Sequence, residues 1–380
     1  MKKVLYLIDT LEIGGAESSI LEIASRLKEW RPIVISIYEG NTLKPRFEKA
    51  GIKVYSLNIE QKFGISFGLK QMGNIIKNET PDLIHATLFR AEQFSRKLGP
   101  KYNIPVLNSF VNDSYSSERF NSIPLKQKLA LHLYKTVDRY TAPKADAFMS
   151  ITSAIIPSNT KALGLSPRDI EVIYRGRDIE KFRKKSEDQA LNLSQCFETT
   201  TILTVSRLLK RKGYMESIKA MVKVVKKYPK LQYLIAGEGH DRPFFENLIK
   251  ELNLEDNVKL LGNRNDIPGL LKSADLFLFP SHYEGQGGAL VEAMIMGTPI
   301  LASRIPVIEE SVKDNYSARL FELKNSDDMA NQILWALDHP EEMKQLGVNA
   351  RKEAVKRFEI EKVARQHEML YNRILEKYAK

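Results

Sequence analysis

Two glutamates, Glu284 and Glu292, flank a glycine-rich stretch that could bind a negatively charged ligand. Three glycines occur in the four positions 285–288, between the apolar run Leu276–Phe279 and a helical segment, Ala289–Met296. Glycines let the backbone approach a ligand, and the first N–H groups of a helix are unpaired donors at the positive end of its dipole. Backbone donors suit a diphosphate and fixed carboxylates suit hydroxyl groups, so the stretch offers what a sugar nucleotide needs. The alternative is an ordinary strand, loop and helix with a capping carboxylate.

A basic loop follows the apolar run Thr201–Val205. Arg207, Lys210, Arg211 and Lys212 place four cations within six residues at the predicted carboxyl end of a strand. Arginine offers a planar fork and lysine a mobile charge, and both suit a diphosphate. Solvated basic loops are common, so the interpretation becomes specific only if this loop and the glycine-rich stretch belong to one parallel sheet.

Two further loops of the second half have weaker signals. Gly237 and Gly239 form a tight turn after Leu234–Ala236, without the third glycine of a dinucleotide fingerprint. Asn263 and Arg264 follow another apolar run and could hold a nucleobase, although a plain polar turn explains them equally well.

The first half places polar residues where strands are expected to end. Gly14 and Gly15 precede a helical pattern and would again bring helix N–H groups to the end of a strand. His85 and the turn Asn112-Asp113 are placed at such ends as well, and ligands of parallel sheets bind outside the carboxyl ends of the strands. A structural histidine and a simple turn are the more common roles for such residues.

Composition narrows the class of protein. At 380 residues, with 43% hydrophobic and 28% charged residues, the chain suits two globular domains. No apolar run approaches a membrane span, and Val4–Ile8 is too short for a signal-peptide core. A single cysteine, Cys196, excludes an intramolecular disulfide and a cysteine-cluster metal site, which predicts a cytoplasmic protein.

The positive charge is confined to the first half. Residues 1–185 contain 30 Lys and Arg against 19 Asp and Glu, a net of +11, whereas residues 186–380 contain 28 of each. A basic half could face an anionic membrane, an acidic acceptor or nucleic acid, or it could be a solvated surface without a partner.

Short apolar segments alternate with amphipathic ones in both halves, which predicts an α/β protein with two doubly wound parallel sheets. We predict a first domain at 1–185, a linker at 186–200, a second domain at 201–358, and a helix at 359–380. The basic segment Pro124–Tyr140 has leucines at helical spacing. It predicts a core-facing helix, with a membrane-surface helix as the alternative.

Taken together, these motifs resemble the retaining, nucleotide-sugar-dependent glycosyltransferases of the GT-B fold, in the clan called glycosyl transferases group 1, which includes glycogen synthases and mannosyltransferases. The most specific match is Pro-Ser-x-x-Glu-Gly followed by Glu-Ala-Met, with seven residues between Glu284 and Glu292. The other matching segments, from both halves, are Gly14 to Glu17, Pro81 to His85, Gly176 to Phe182, Ser206-Arg207, Lys212-Gly213, Ala236 to Gly239, Ala274-Asp275 and Gly297 to Pro299.

The resemblance implies two Rossmann-like domains facing across a cleft, with a C-terminal helix that crosses back to the first domain. It implies that Arg207 and Lys212 bind the donor diphosphate, that Glu284 binds the transferred sugar, and that Glu292 binds the ribose. The implied backbone cradle for sugar and phosphate consists of Gly287, Gly288, Ala289 and Leu290, with Gly14 and Gly15 approaching the diphosphate from the first domain.

The resemblance also implies a front-face displacement without metal, in which the departing phosphate helps to deprotonate the acceptor hydroxyl. The chain contains no Asp-x-Asp motif, so fixed cations and helix N–H groups would neutralise the leaving group. Three positions depart from the family pattern. Asn112 stands where a histidine is frequent, Gln286 replaces an aromatic residue, and Arg175 and Arg177 add cations to the segment 174–178.

The sequence therefore predicts a hexosyltransferase that uses a UDP- or GDP-linked sugar, no separate cofactor and no metal, and an acceptor hydroxyl in cell-surface polysaccharide or glycolipid synthesis. Its expected partners are the nucleotide sugar, a carbohydrate or lipid-linked acceptor and an anionic membrane surface, with peripheral attachment at the inner face and no nucleic acid. The alternatives are a GT-B-fold epimerase or phosphorylase, or a non-catalytic binding protein whose basic half faces membrane or nucleic acid.

Overall fold

The apolar runs of the sequence become central strands because helices cover both faces of each sheet. In strand β1 (Lys2–Ile8), Val4, Tyr6 and Ile8 pack on one face, while Leu5 and Leu7 pack on the other. A strand buried on both faces has no polar side, so the whole run is apolar instead of alternating.

The computed structural model describes residues 1–60, 65–121, 123–193 and 199–378. The chain divides into a first unit, Met1–Gly176 with Ile360–Lys380, and a second unit, Arg177–Glu359. Each unit is built on its own parallel sheet, which confirms the predicted α/β class with two Rossmann-like halves.

The first unit has a seven-stranded sheet in the order β3-β2-β1-β4-β5-β6-β7. Its strands after β1 are β2 (Trp30–Tyr38), β3 (Lys53–Ile59), β4 (Leu83–Thr87), β5 (Val106–Phe110), β6 (Ala147–Ser150) and β7 (Glu171–Val172). Its helices are α1 (Gly15–Ala24), α2 (Lys44–Lys49), α3 (Ile65–Glu79), α4 (Phe89–Tyr102), α5 (Ser117–Asn121), α6 (Leu125–Thr141), α7 (Ile156–Leu163) and α16 (Ile360–Tyr378).

The second unit has a six-stranded sheet in the order β10-β9-β8-β11-β12-β13. Its strands are β8 (Thr201–Val205), β9 (Gln232–Ala236), β10 (Val258–Gly262), β11 (Leu276–Phe279), β12 (Ile300–Ser303) and β13 (Arg319–Phe321). Its helices are α8 (Ile179–Leu193), α9 (Tyr214–Lys227), α10 (Arg242–Glu251), α11 (Ile267–Ser273), α12 (Gly288–Met296), α13 (Pro306–Ser311), α14 (Ser326–Asp338) and α15 (Pro340–Phe358).

The division between the two units falls after Gly176, nine residues before the predicted boundary at residue 185. The second unit begins at Arg177, and α8 (Ile179–Leu193) packs against α11 inside that unit. The stretch 186–200 was predicted as a linker because it is charged and shows little apolar periodicity, as is usual for a helix at the surface. Residues 194–198, which include Cys196, lie outside the described part of the chain.

The C-terminal helix α16 belongs to the first unit. Tyr371 is fully buried and its hydroxyl lies 2.8 Å from that of Tyr6 in β1. A carboxylate oxygen of Glu368 accepts the backbone N–H groups of Lys28 and Glu29, at 2.6 and 2.7 Å. The last helix is therefore part of the first core.

Helix α6 forms where a helix was expected, but the expectation that it faces the core is wrong. Leu125, Leu129 and Leu133 are 74%, 65% and 63% exposed, and the fully enclosed positions of the helix are Leu131 and Asp138. Helical spacing revealed the helix but not which side of it meets the protein.

Candidate functional site

The basic loop and the glycine-rich loop of the second unit follow neighbouring strands. Strands β8 and β11 pair in parallel, with Ile202 opposite Leu276, so both loops leave the same edge of the sheet. The loops also touch: the N–H of His282 donates to the carbonyl of Arg211 at 3.0 Å. A Cβ on Gly213 would overlap the carbonyl oxygen of Pro280. The basic loop and the glycine-rich loop therefore belong to one parallel sheet, which the predicted diphosphate site required.

Lys212 and Glu284 form an ion pair at the centre of this group. The Lys212 ammonium contacts a carboxylate oxygen of Glu284, and the Ser281 hydroxyl donates to the same oxygen at 2.7 Å. Only 10% of the Lys212 side chain and 13% of the Glu284 side chain are exposed. A charge held in a partly buried site interacts more strongly with a ligand than one in open water. The pair can offer a fixed cation to an anion and a fixed acceptor to a hydroxyl.

The other cations of the basic loop have different surroundings. The Lys210 ammonium lies 4.1 Å from the centre of the Phe244 ring, and the Arg211 guanidinium lies 5.0 Å from that of Tyr283. Arg207 is exposed at the end of β8. Lys212 is thus brought to Glu284, whereas Lys210 and Arg211 stack on aromatic rings.

Arg177 lies at the N-terminus of α12. In the sequence it stood out only as a departure from the family pattern. Gly287 precedes the helix with a φ of +80°, a conformation that favours glycine. The Arg177 guanidinium lies over Gly288, where a Cβ would come within 2.7 Å of it, and bonds a carboxylate oxygen of Glu292 at 3.0 Å. Helix N–H groups and this guanidinium, whose charge Glu292 partly offsets, together favour an anion at this position. Ala289 and Leu290 follow in the first turn of the helix.

The remaining predicted donor residues lie on the other side of β8. Gly237, with a φ of +146°, directly follows β9, and a Cβ there would overlap the carbonyl oxygen of Ser206. Asn263 and Arg264 follow the edge strand β10, which β9 separates from β8. The Arg264 guanidinium is bonded to Asp266 at 2.9 and 2.5 Å. The structure therefore does not bring Asn263 and Arg264 to the Lys212–Glu284 pair.

The first unit has a polar pocket of about 240 Å³ at the carboxyl ends of β1, β4 and β5. Asn112 lines it from the loop after β5, as expected for a residue at a strand end. Asp113, beside it, accepts a hydrogen bond from the Ser158 hydroxyl, and burial raises the pKa of its carboxyl. The other polar residues of the lining are Asp9, Glu92, Ser109, Ser114, Tyr115, Arg119, Asp138 and Asn159.

A buried charge network forms the floor of this pocket. Arg96, whose side chain is 0% exposed, pairs with Glu92 at 3.0 Å and also contacts Asp138. Burial raises the pKa of Glu92 well above its ordinary value, and burial raises that of Asp9 to about 6. Each of these carboxyls is therefore easier to protonate than an exposed one.

These floor residues were missed by sequence analysis. Glu92 and Arg96 are four residues apart on α4, a spacing that marks a helical ion pair. The same spacing occurs on many exposed helices, so it gave no sign of burial. Asp138 arrives from α6, and sequence alone gave no indication of that contact. Asp9 had a usable signal, because it follows the first buried strand directly.

His85 lies inside β4, so its predicted place after the strand is wrong. Its ring nitrogens lie 2.8 Å from the Tyr371 hydroxyl and 2.6 Å from the Ser109 hydroxyl. Burial, with the neighbouring His367, lowers the pKa of His85 well below its ordinary value. Its hydrogen bonds are used within the core, which indicates a structural histidine.

Gly14 and Gly15 stand at the start of α1, as predicted. A Cβ on Gly14 would overlap the Glu17 carboxylate, and one on Gly15 would lie 2.8 Å from the Arg175 guanidinium. Because Gly14 and Gly15 have no side chains, the Glu17 carboxylate and the Arg175 guanidinium can lie against the first turn of this helix. Arg175, like Arg177, is an addition to the family pattern.

Neither a membrane-spanning helix nor a cluster of metal-ligand side chains occurs in the described ranges, 1–60, 65–121, 123–193 and 199–378. No helix in these ranges combines the length and hydropathy that a membrane span requires. Within the same ranges, no group of three or more histidines, cysteines and acidic residues is arranged to hold a metal ion.

Comparison with protein families matches both halves of the chain. Residues 196–353 match the family described as Glycosyl transferases group 1, and residues 13–181 match Glycosyltransferase Family 4. The chain belongs to the group 1 glycosyltransferases with the GT-B fold.

Two curated relatives are about a quarter identical to the chain over the aligned residues. The N-acetyl-alpha-D-glucosaminyl L-malate synthase of Bacillus anthracis is 27% identical over 62% of this chain and 62% of its own length. The UDP-Gal:alpha-D-GlcNAc-diphosphoundecaprenol alpha-1,3-galactosyltransferase of Escherichia coli is 26% identical over 70% of this chain and 68% of its own length.

Solved structures match nearly the whole chain. HepE of Anabaena, crystallised with UDP, has a TM-score of 0.84 at 23% identity and covers 98% of this chain and 100% of its own. The sucrose-phosphate synthase of Thermosynechococcus elongatus has a TM-score of 0.80 at 19% identity, covering 99% of this chain and 100% of its own. At these identities the likeness establishes the fold.

Proposed function

We propose that this glycosyltransferase transfers a hexose, with retention of the anomeric configuration, from a UDP- or GDP-linked sugar to an acceptor hydroxyl in polysaccharide or glycolipid synthesis. The observation that supports the proposal best is the Lys212–Glu284 pair, held between two touching loops beside the N-terminus of α12. It combines a fixed cation, a fixed acceptor and the first N–H groups of a helix at one edge of the sheet.

In the proposed reaction, Lys212 and Arg207 neutralise the diphosphate while Glu284 holds a hydroxyl of the sugar and Glu292 the ribose. The bond between the anomeric carbon and the phosphate oxygen breaks as the acceptor oxygen attacks from the same face. The departing phosphate takes the acceptor proton, so no protein nucleophile is needed. Arg177 adds a further cation, beside the α12 N-terminus, which reduces the need for a metal at the leaving group.

The UDP donor is favoured by the relatives. HepE was crystallised with UDP and with UDP-glucose, and the E. coli relative is named for UDP-Gal. That relative and the Campylobacter jejuni N-acetylgalactosaminyltransferase, which is 28% identical over 71% of this chain, are named for diphospho-undecaprenol acceptors. We propose a lipid-linked acceptor bound in the polar pocket of the first unit, at the cytoplasmic face of an anionic membrane.

Calorimetric titration with UDP, GDP and ADP in the presence of a chelator tests the donor site. We expect one nucleotide to bind, and Lys212→Ala to weaken its binding roughly tenfold or more, because a charged hydrogen-bond partner is lost. Lys352→Ala, on the exposed face of α15, is the matched control and should bind normally.

Binding of none of the three nucleotides would count against the donor site. Binding that requires a metal would overturn the metal-independent part of the proposal. Retention is tested separately, by reading the anomeric configuration of the first product by nuclear magnetic resonance; an inverted product would overturn it.

A further inference from the structure

Helix α6 is attached to the first unit through its polar side. Asp138 contacts Arg96 on α4 and accepts a hydrogen bond from the Tyr115 hydroxyl at 2.7 Å. Thr141 receives a hydrogen bond from Arg96 at 3.0 Å and donates one to Gln93 at 3.1 Å. Besides the buried Leu131, hydrogen bonds and an ion pair thus hold the inward face of this helix.

The apolar side of the same helix faces outward. Leu125, Leu129 and Leu133 are spaced four residues apart and are each more than 60% exposed, and Tyr140 is 80% exposed. Val137 extends the stripe at 40% exposure. We call these five residues the outer stripe of α6. A soluble helix normally places such residues toward the core.

The charges of α6 that reach the surface are all positive. Lys126, Lys128, Lys135 and Arg139 lie on the helix, and its one acid, Asp138, is buried against Arg96. Lys128 and Lys135 are half-buried along one flank of the stripe, so their aliphatic stems can cover apolar surface while the ammonium groups stay in water.

We propose that α6 is an interfacial helix that docks the first unit on the surface of an anionic phospholipid bilayer. In this arrangement the outer stripe enters the boundary between headgroups and acyl chains, while the flanking cations meet the lipid phosphates. A basic helix with leucines on one face and a low overall hydropathy is suited to this position.

Charge distinguishes a bilayer from a second copy of the chain as the occupant of this face. A two-fold contact through α6 would bring the same patch of both copies together and set its four surface cations against four others. Anionic lipid instead supplies the opposite charge together with an apolar layer. The net charge of +11 in residues 1–185 acts in the same direction.

Docking through α6 would also place the polar pocket of the first unit close to the headgroups. Asp138 on the inner side of α6 and Tyr115, bonded to it, both line that pocket. The use of this arrangement for a lipid-linked acceptor rests on the proposed function. The docking itself does not, because it can be measured without donor, acceptor or transfer.

Sedimentation of the full chain with phospholipid vesicles tests the proposal. We expect binding to vesicles of phosphatidylcholine with phosphatidylglycerol, weaker binding at high salt, and little binding to phosphatidylcholine alone. The double variant Leu129→Glu/Leu133→Glu should bind roughly tenfold more weakly or worse, since it places two charges where exposed apolar groups would enter the bilayer.

The control for added charge is Val348→Glu/Val355→Glu, which changes two exposed valines of α15, 48% and 46% exposed. It should bind vesicles as the unaltered chain does. Nucleotide titration of both variants separates loss of docking from loss of folding and from failure of the proposed donor site.

Three results would overturn the proposal. The first is an unaltered chain that does not bind anionic vesicles. The second is an α6 variant that binds them as well as the control. The third is a dimer, seen by analytical ultracentrifugation, that Leu129→Glu/Leu133→Glu dissociates while vesicle binding is unchanged, because the face would then be an interface between copies.

Discussion

At the scale of single residues, Glu284 has two partners that fix its position before any substrate arrives. Lys212 contacts one carboxylate oxygen, and the Ser281 hydroxyl donates to the same oxygen. In the proposed reaction, a side chain held in this way would need no rearrangement to meet a hydroxyl of the sugar, which is the property expected of a group that acts in the transition state.

We expect Glu284→Gln to lower the rate of transfer by about 100-fold, because the amide is a weaker acceptor and leaves the Lys212 charge uncompensated. Nucleotide affinity should change by much less, because the diphosphate contacts remain. The measurement is kcat with the identified donor beside a titration with the nucleotide. Glu255→Gln, at an exposed position, is the control. A variant with full activity would remove Glu284 from the proposed mechanism.

Asp9 makes the pocket of the first unit sensitive to pH. Burial raises its pKa to about 6, above the ordinary value of 3.8. The folded state therefore binds a proton more readily than the unfolded state. The stability contributed by this group is fully present below about pH 4 and is lost as the pH rises through 6.

We expect Asp9→Asn to remove that dependence, because the amide oxygen can still accept the hydrogen bond from the Ala91 N–H, which is 2.8 Å long. Between pH 4 and pH 8, the free energy of unfolding of the variant should rise by up to about 3 kcal/mol relative to that of the unaltered chain. Urea unfolding across this range measures the difference, with the exposed Asp256→Asn as the control. A difference that does not change with pH would contradict the raised pKa.

At the scale of elements, the contact between the basic loop and the glycine-rich loop depends on Gly213. Its φ is +74°, and a Cβ there would overlap the carbonyl of Pro280. Gly51 has nearly the same φ, +75°, and nothing within 4 Å of the place of its Cβ. The two glycines therefore share the backbone conformation and differ in the space around them.

Alanine at Gly51 should cost about 1 kcal/mol of the free energy of unfolding, the usual penalty for a left-handed conformation. Alanine at Gly213 should cost more, by about 1–3 kcal/mol, and should also weaken nucleotide binding because the two loops must separate. Urea unfolding and nucleotide titration of both variants test this. Equal costs at the two sites would mean that the loops accommodate a Cβ.

Element type was more predictable from this sequence than element orientation. Strands β8 and β11 have the bounds of the apolar runs Thr201–Val205 and Leu276–Phe279, since runs buried on both faces are apolar throughout. The predicted bounds of helix α6 differ from the observed ones by one residue at each end. Its leucines nevertheless face outward and not toward the core, because periodicity does not show which side of a helix meets the protein. Its inner face depends on a contact between Asp138 and Arg96, which stand 42 residues apart and follow no local pattern.

The residues of the candidate sites also differ in how far the sequence could predict them. Lys212, Glu284 and Gly287 could be predicted because strand, loop and helix succeed each other locally in the sequence. The pocket of the first unit could not be predicted, because its acids come from the loop after β1 and from α4 and α6. The sequence does not show whether an acidic residue is buried or exposed. The sequence also did not show that Asn263 and Arg264 follow the edge strand β10, and their role toward the nucleobase stays a prediction.

At the scale of the whole molecule, the chain ends by completing the core with which it began. Ile360, Val363 and Tyr371 of α16 are buried with β1 and α1, although 183 residues of the second unit lie between Gly176 and Ile360. The two units should consequently differ in how they respond to damage in this helix.

We expect Tyr371→Ala to destabilise the first unit by about 3–5 kcal/mol, because it leaves a cavity and removes the hydroxyl that Tyr6 and His85 contact. Met369→Ala, at a side chain that is 53% exposed, should have almost no effect. Hydrogen exchange measured by mass spectrometry should then rise in β1, β4 and α1 and stay unchanged in β8, β11 and α12, with nucleotide binding retained. An equal rise in both sets of elements would mean that the units unfold together, and that the donor site depends on the C-terminal helix as much as the first core does.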